Sequence, residues 1–117
     1  MPTWEDVVQI GLSFPEVEQS TWFRRPALKV GGKGMCNLRT DPDALVIRVT
    51  DMLEREAMLQ GNPDAFFTTP HYDGYPYVLV KLDKVDPVEL HELVEEAWRI
   101  FAPKRVVKAY DADSAEA

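Results

Sequence analysis

The spacing of apolar positions along the chain changes three times, and each change marks a change of element. Trp4, Val7 and Val8 recur at helical spacing after Thr3, with Asp6 three residues beyond it. A threonine and an acid at that distance can exchange hydrogen bonds at a helix start, so the pattern predicts a helix opening after Thr3 and ended by Gly11 and Pro15. From residue 20 the texture becomes short β-branched and aromatic runs over 20–25, 27–30, 35–39 and 45–49. They are separated by Pro26, Gly31-Gly32-Lys33-Gly34 and Asp41-Pro42-Asp43, residues that supply the positive or preset φ of turns, and the stretch reads as an antiparallel meander. Asp51, Glu54 and Gly61 bound a second, short helix over 51–60, whose apolar side of Met52, Leu53, Ala57 and Leu59 is loose. Residues 62–76 read as a long loop carrying Phe66, Phe67, Tyr72 and Tyr75, and 77–82 as a strand. Asp86-Pro87-Val88-Glu89 combines a capping aspartate with proline at the first helical position. Behind it Leu90, Leu93, Val94, Ala97, Trp98 and Phe101 make one apolar stripe, which Pro103 stops.

These elements predict an α+β two-layer sandwich: an antiparallel sheet of about five strands with helices on one face, in the order α-β4-α-β-α. Side chains alternate across a strand, which assigns Leu28, Val30, Cys36, Leu38, Leu45, Ile47, Val49, Val78, Val80 and Leu82 to the helix side. The outer face then carries Lys29, Asn37, Arg39, Val46, Arg48, Tyr77, Leu79 and Lys81. Trp4, Leu38, Ile47, Val80, Leu93, Trp98 and Phe101 are expected to be buried. Residues 1–110 form a single domain in this reading, and 111–117, small and acidic, a disordered tail.

Composition narrows the function without naming it. The 117 residues are 45% hydrophobic and 28% charged, the profile of a globular domain, and one cysteine, Cys36, excludes an internal disulfide. No apolar run approaches a membrane span and no signal-like segment opens the chain, so no membrane is expected as a partner and a cytoplasmic location is expected. Net charge is −7, yet from Gln19 to Thr40 there are five cations (Arg24, Arg25, Lys29, Lys33, Arg39) and no carboxylate. With Arg48 and Lys81 these would make the outer sheet face cationic beside Tyr77, an arrangement able to neutralise phosphates and stack a base. The same cations would also serve as the polar face that an antiparallel sheet needs. Glu92 and Glu96 are read as a solvated face of the last helix. The Gly31–Gly34 run lacks the spacing of a phosphate loop and joins two strands, so a hairpin turn is expected. His71 sits in the aromatic loop without an identifiable nucleophile, and Cys36 is expected in the core.

Several segments together resemble the MmcQ/YjbR family: Phe14-Pro15-Glu16-Val17-Glu18, Trp22, Pro26-Ala27-Leu28-Lys29-Val30-Gly31-Gly32-Lys33, Tyr77-Val78, Glu89-Leu90, and Ala97-Trp98 through Ala102-Pro103-Lys104. The similarity covers about residues 3–105. It implies a fold similar to the CyaY (frataxin) group and a DNA-binding role, with Lys29, Lys33 and Lys104 matching basic positions of the family pattern. The expectation is therefore a non-enzymatic module with DNA or another polyanion held by Arg25, Lys29, Lys33, Arg39 and Lys104, weakly and without sequence preference. The alternative is a protein-interaction module using the same sheet face. No cofactor and no metal are expected, because one cysteine and two histidines 20 positions apart do not make a structural metal set, and the first helix offers only Glu5 and Asp6 where frataxin-type iron binding needs an acidic ridge.

Overall fold

The computed structural model describes residues 2–22, 24–39 and 44–116. Phe23, which falls in the first expected strand, and the expected Asp41-Pro42-Asp43 turn lie outside them. Helix α1 (Trp4–Leu12) opens as a reciprocal cap: the Thr3 backbone N–H donates to Asp6 Oδ2 at 2.8 Å, and the Asp6 backbone N–H to Thr3 Oγ1 at 3.4 Å. Gly11 does not end this helix. It lies inside it, where a Cβ would come within 2.5 Å of Leu28 Cδ1, so its lack of a side chain is what lets α1 settle on the sheet.

Six strands follow as β1 (Val17–Trp22), β2 (Arg25–Val30), β3 (Lys33–Arg39), β4 (Ala44–Arg48), β5 (Phe66–Phe67) and β6 (Tyr77–Val80). They form one sheet in the order β1-β2-β3-β4-β6-β5, with every neighbouring pair antiparallel. The fold is thus the expected α+β class. The strand beyond the expected five is the two-residue edge strand β5, inside the segment read as a loop. Gly31 and Gly32 have φ of 58° and 80° and link Val30 to its partner Lys33, so the glycine run is a two-residue hairpin.

The inner face follows period two. Leu28, Val30, Cys36, Leu45, Ile47, Val49, Val78 and Val80 pack in one cluster with Val7 and Val8 of α1 and with Leu90, Leu93, Val94, Ala97 and Trp98 of α3 (Pro87–Phe101). Leu38, Trp4 and Phe101 are only half-buried. The register slips between Leu28 and Lys29, which pair with Cys36 and Gly34, and the extra residue Met35 enters the same core.

Helix α2 (Met52–Gly61) departs most from expectation. Its buried side is organised around Arg55, while Leu53, assigned to the apolar side, is 81% exposed. Arg55 Nε donates to the Tyr77 carbonyl at 3.1 Å, Nη1 to Glu56 at 2.7 Å and Nη2 to the Thr68 hydroxyl at 2.8 Å. One guanidinium therefore ties α2, β6 and the 62–76 segment together.

The expected acidic tail is replaced, as far as Glu116, by a fourth helix, α4 (Lys104–Glu116). Val106 is buried in the main core, and the Tyr110 ring lies 5.0 Å from Trp98 and 5.6 Å from Phe14. Asp111 accepts two hydrogen bonds from Arg99, at 3.0 and 2.8 Å, which hold its carboxyl below the usual carboxylate range. An acidic, small-residue stretch reads as disordered locally because its partners, Arg99 and the aromatic cluster, are remote in sequence.

Candidate functional site

The outer face of the sheet is not uniformly open. Ala44, Val46 and Leu79 are fully buried there, covered by Phe67, Tyr72 and Tyr77 in a second, smaller cluster. Phe67 and Tyr72 come from the 62–76 segment, which crosses the β4–β6 half of the face, and Tyr77 from β6 itself. Between that cover and the β1–β2 hairpin lies a cleft of about 470 Å³ lined by Trp22, Arg25, Asn37, Val46, His71, Tyr72, Tyr75 and Tyr77. That volume is in the range of small-molecule sites, and the lining has their usual mixture of apolar walls and a few polar groups.

Strand alternation and register explain which side chains arrive there. Trp22 pairs with Arg25 across β1 and β2, Ala27 with Asn37 across β2 and β3, and Asn37 with Val46 across β3 and β4. Residues directly opposed in an antiparallel pair share a face, so these form one wall and the floor. Gly34 keeps a place for the Trp22 ring, because a Cβ at that glycine would meet Trp22 Cε3 at 2.9 Å. The opposite wall is the loop, where the His71 ring meets Tyr72 edge-on at 4.8 Å and Tyr72 lies 5.9 Å from Tyr77. Arg55 anchors that wall from behind through Thr68 and the Tyr77 carbonyl, with Asp73 at 3.8 Å from Nη2.

Beside His71 and the tyrosine hydroxyls, two further polar side chains give the cleft its chemistry. Arg25 is exposed on the wall. Asn37 is 5% exposed at the floor, and its Oδ1 is buried with no hydrogen-bond partner among the described residues. Sequence patterning placed Asn37 on the outer face without marking it; the signal available was an amide between apolar neighbours in a strand.

The five cations expected to hold the polyanion, Arg25, Lys29, Lys33, Arg39 and Lys104, separate into two groups. Arg25, Lys29 and Arg39 belong to the outer face by alternation, and Lys29 is opposed across β1 by the carboxylate-bearing Glu18. Lys33 is opposed to the core residue Val30, which assigns it to the helix side of the sheet. Lys104 begins α4 on that same side, next to Pro103, whose ring is the nearest neighbour of Gly31 in the hairpin. Only Arg25 of the five lines the cleft.

The remaining chemical candidates lie elsewhere. Cys36 is on the helix side, where burial pushes its thiol up to about 12 and removes it as a thiolate nucleophile. Glu96, read as solvated, instead turns toward α2, with Oε2 buried and unpartnered among the described residues. Burial first, and then the neighbouring Glu54 carboxyl, push its own carboxyl up to about 7. Among the described residues no group of three or more His, Cys, Asp or Glu side chains is arranged to hold a metal ion, and no helix is long and apolar enough to cross a membrane.

Comparison with known proteins agrees with the architecture and extends it to ancestry. A crystal structure of a Deinococcus radiodurans protein with a DUF419 domain superposes with a TM-score of 0.72 over 84% of this chain and 77% of its own, at 22% identity, a likeness of fold. Proteins of Mycobacterium bovis and Mycobacterium tuberculosis, both named as uncharacterised, are 35% identical to this chain over 97% of its length and 99% of theirs. The YjbR family model matches residues 12–100, a span that runs from the end of α1 through the sheet and the cleft into α3, and on that match the chain belongs to the YjbR family.

Proposed function

We propose that this YjbR-family protein is a non-enzymatic cytoplasmic module that binds nucleic acid by seating an unpaired base in the outer-face cleft. The observation that carries this reading is the cleft itself, in which one indole and three phenol rings surround a 470 Å³ space with Arg25 on its wall. Stacking of a base on an aromatic side chain contributes roughly 1–3 kcal/mol and needs an exposed ring face, which a paired base within a duplex does not offer. Arg25 is suited to the phosphate, with Lys29 and Arg39 on the same face for neighbouring phosphates. A broad duplex footprint is disfavoured by the net charge of −7 and by the assignment of Lys33 and Lys104 to the opposite side of the sheet. The non-enzymatic reading is supported by the setting of the reactive side chains: Cys36 is sealed in the core, and His71 is engaged with a phenol ring at the cleft wall.

The test is a titration of a single-stranded oligonucleotide and its duplex, followed by anisotropy at several salt concentrations. Single strand should bind more tightly than duplex. Three phosphate contacts at about −0.7 each predict a slope of log K against log salt of roughly −2. Arg25→Glu should abolish binding, whereas Lys33→Glu with Lys104→Glu should leave it nearly intact. Equal binding of duplex, or dependence on Lys33 and Lys104, would overturn the base-seating reading. The exposed rims of the cleft, Tyr75 at 60% and Trp22 at 36%, favour a protein-interaction module as the second reading. Binding of neither nucleic acid at low salt would select it.

A further inference from the structure

The floor of the cleft holds a group that folding leaves unsatisfied. Asn37 is flanked across the sheet by Ala27 and Val46, both almost completely buried, so its surroundings on the strand are apolar. Its Oδ1 is a buried acceptor on a residue that lines the cavity, and no donor among the described residues reaches it. A buried acceptor without a donor is costly, and a leucine of similar volume would fill the position without that cost. A turn of the Asn37 amide about its last side-chain bond brings that oxygen to the cleft, where an occupant can supply the donor.

The neighbouring groups limit what that occupant is. The aromatic walls suit a flat ring. Arg25 lies two residues from Ala27 on the adjacent strand, so its backbone is about 8 Å from that of Asn37 by strand geometry, and its flexible side chain reaches an anion attached to the ring's far side. Resting on the base-seating reading above, we infer that the cleft selects a nucleotide whose base presents an amino N–H to Asn37 Oδ1 while its phosphate meets Arg25. Asn37 is then a specificity determinant at the floor of the cleft. Adenine is a base of this kind, and its N6 amino group is well known to pair with asparagine. The nucleotide is either free or an unpaired position of a strand, and the two sources share this chemistry.

The experiment compares adenosine 5′-monophosphate with its N6,N6-dimethyl analogue, and a deoxyadenosine oligomer with the oligomer carrying the same dimethylated base, against the intact protein by calorimetry. Dimethylation removes the donor and keeps the ring and the phosphate. Wild type should bind the unmodified ligand about tenfold more tightly, the size expected when a buried acceptor loses its partner. Asn37→Leu should erase the difference while raising the thermal midpoint, and Asn37→Thr, which keeps an acceptor, should retain part of it. Discrimination among the mononucleotides assigns a free nucleotide, and discrimination confined to the oligomers assigns a strand; either supports the inference. Equal affinity of wild type for the unmodified and dimethylated ligands would overturn the role of Asn37 while leaving base seating intact. Failure of every one of these ligands to bind would overturn both.

Discussion

Arg55 and Glu96 show how much a single buried polar side chain can organise when its partners come from other elements. Arg55 is 4% exposed and donates to a carbonyl, a hydroxyl and a carboxylate on three different segments. Replacing it with methionine keeps the bulk but leaves the Tyr77 carbonyl and the Thr68 hydroxyl without that donor. The expected loss is about 2–3 kcal/mol, measured by urea unfolding, with weaker ligand binding at the cleft whose wall Arg55 anchors. A change below about 0.5 kcal/mol would show that the guanidinium is dispensable to the fold. Glu96 acts in the opposite sense. Its carboxyl is raised from the ordinary 4.5 to about 7 by burial and by Glu54, with Asp51 adding to the effect and Thr50 opposing it. Between those two pH values the folded chain holds a proton that the unfolded chain has released. Stability contributed by this group is therefore complete below about pH 4.5 and is lost as pH rises through 7. Glu96→Gln should match wild type near pH 4.5, exceed it at pH 8 and flatten the decline between; parallel pH profiles for the two proteins would refute this account.

At the scale of elements, proline and glycine had two meanings that only context separates. Ala102 is extended at φ −67° and ψ 146°, as expected for a residue before proline, so α3 does end where Pro103 indicates. The chain then restarts at once as α4, with the Pro103 carbonyl accepting from Val106 and Val107 at 2.9 and 3.1 Å. Helix α4 has little apolar periodicity beyond Val106, Val107 and Tyr110, and its place depends on the aromatic cluster and on Arg99. Tyr110→Ala should cost roughly 1–2 kcal/mol, less than the 3–5 of a fully buried aromatic because this ring is half-exposed. Amide exchange in 104–113 should accelerate well beyond that of the sheet. Unchanged protection in that stretch would mean that α4 is held by something other than the Tyr110 contacts. The hairpin at Gly31-Gly32 was fully legible, because a glycine pair freely adopts the two consecutive positive φ values of this tight two-residue link.

For the whole molecule, the sequence by itself determined one half of the architecture. Helix period 3.6 and strand period 2 both record burial on a single face, and so Val7, Leu28, Ile47, Val80, Leu93 and Trp98 could be assigned to one core before their contacts were known. The caps at Thr3, Asp51 and Asp86 were equally readable, since each partner lies within three residues. What tertiary structure alone decided is the other face of the sheet. An irregular segment has no period, so nothing in residues 62–76 announces that it lies across Val46 and Leu79, or that it leaves Asn37 at the floor of an aromatic cleft. The cations illustrate the same division. Their clustering in sequence suggested one surface, but a strand turned back by a two-residue hairpin carries Lys33 to the side of Val30, away from the face of Arg25 and Lys29. Local order is set by neighbours within a turn of chain, whereas a site on an open sheet is assembled from contacts between segments far apart in sequence, and only the folded chain brings those segments together.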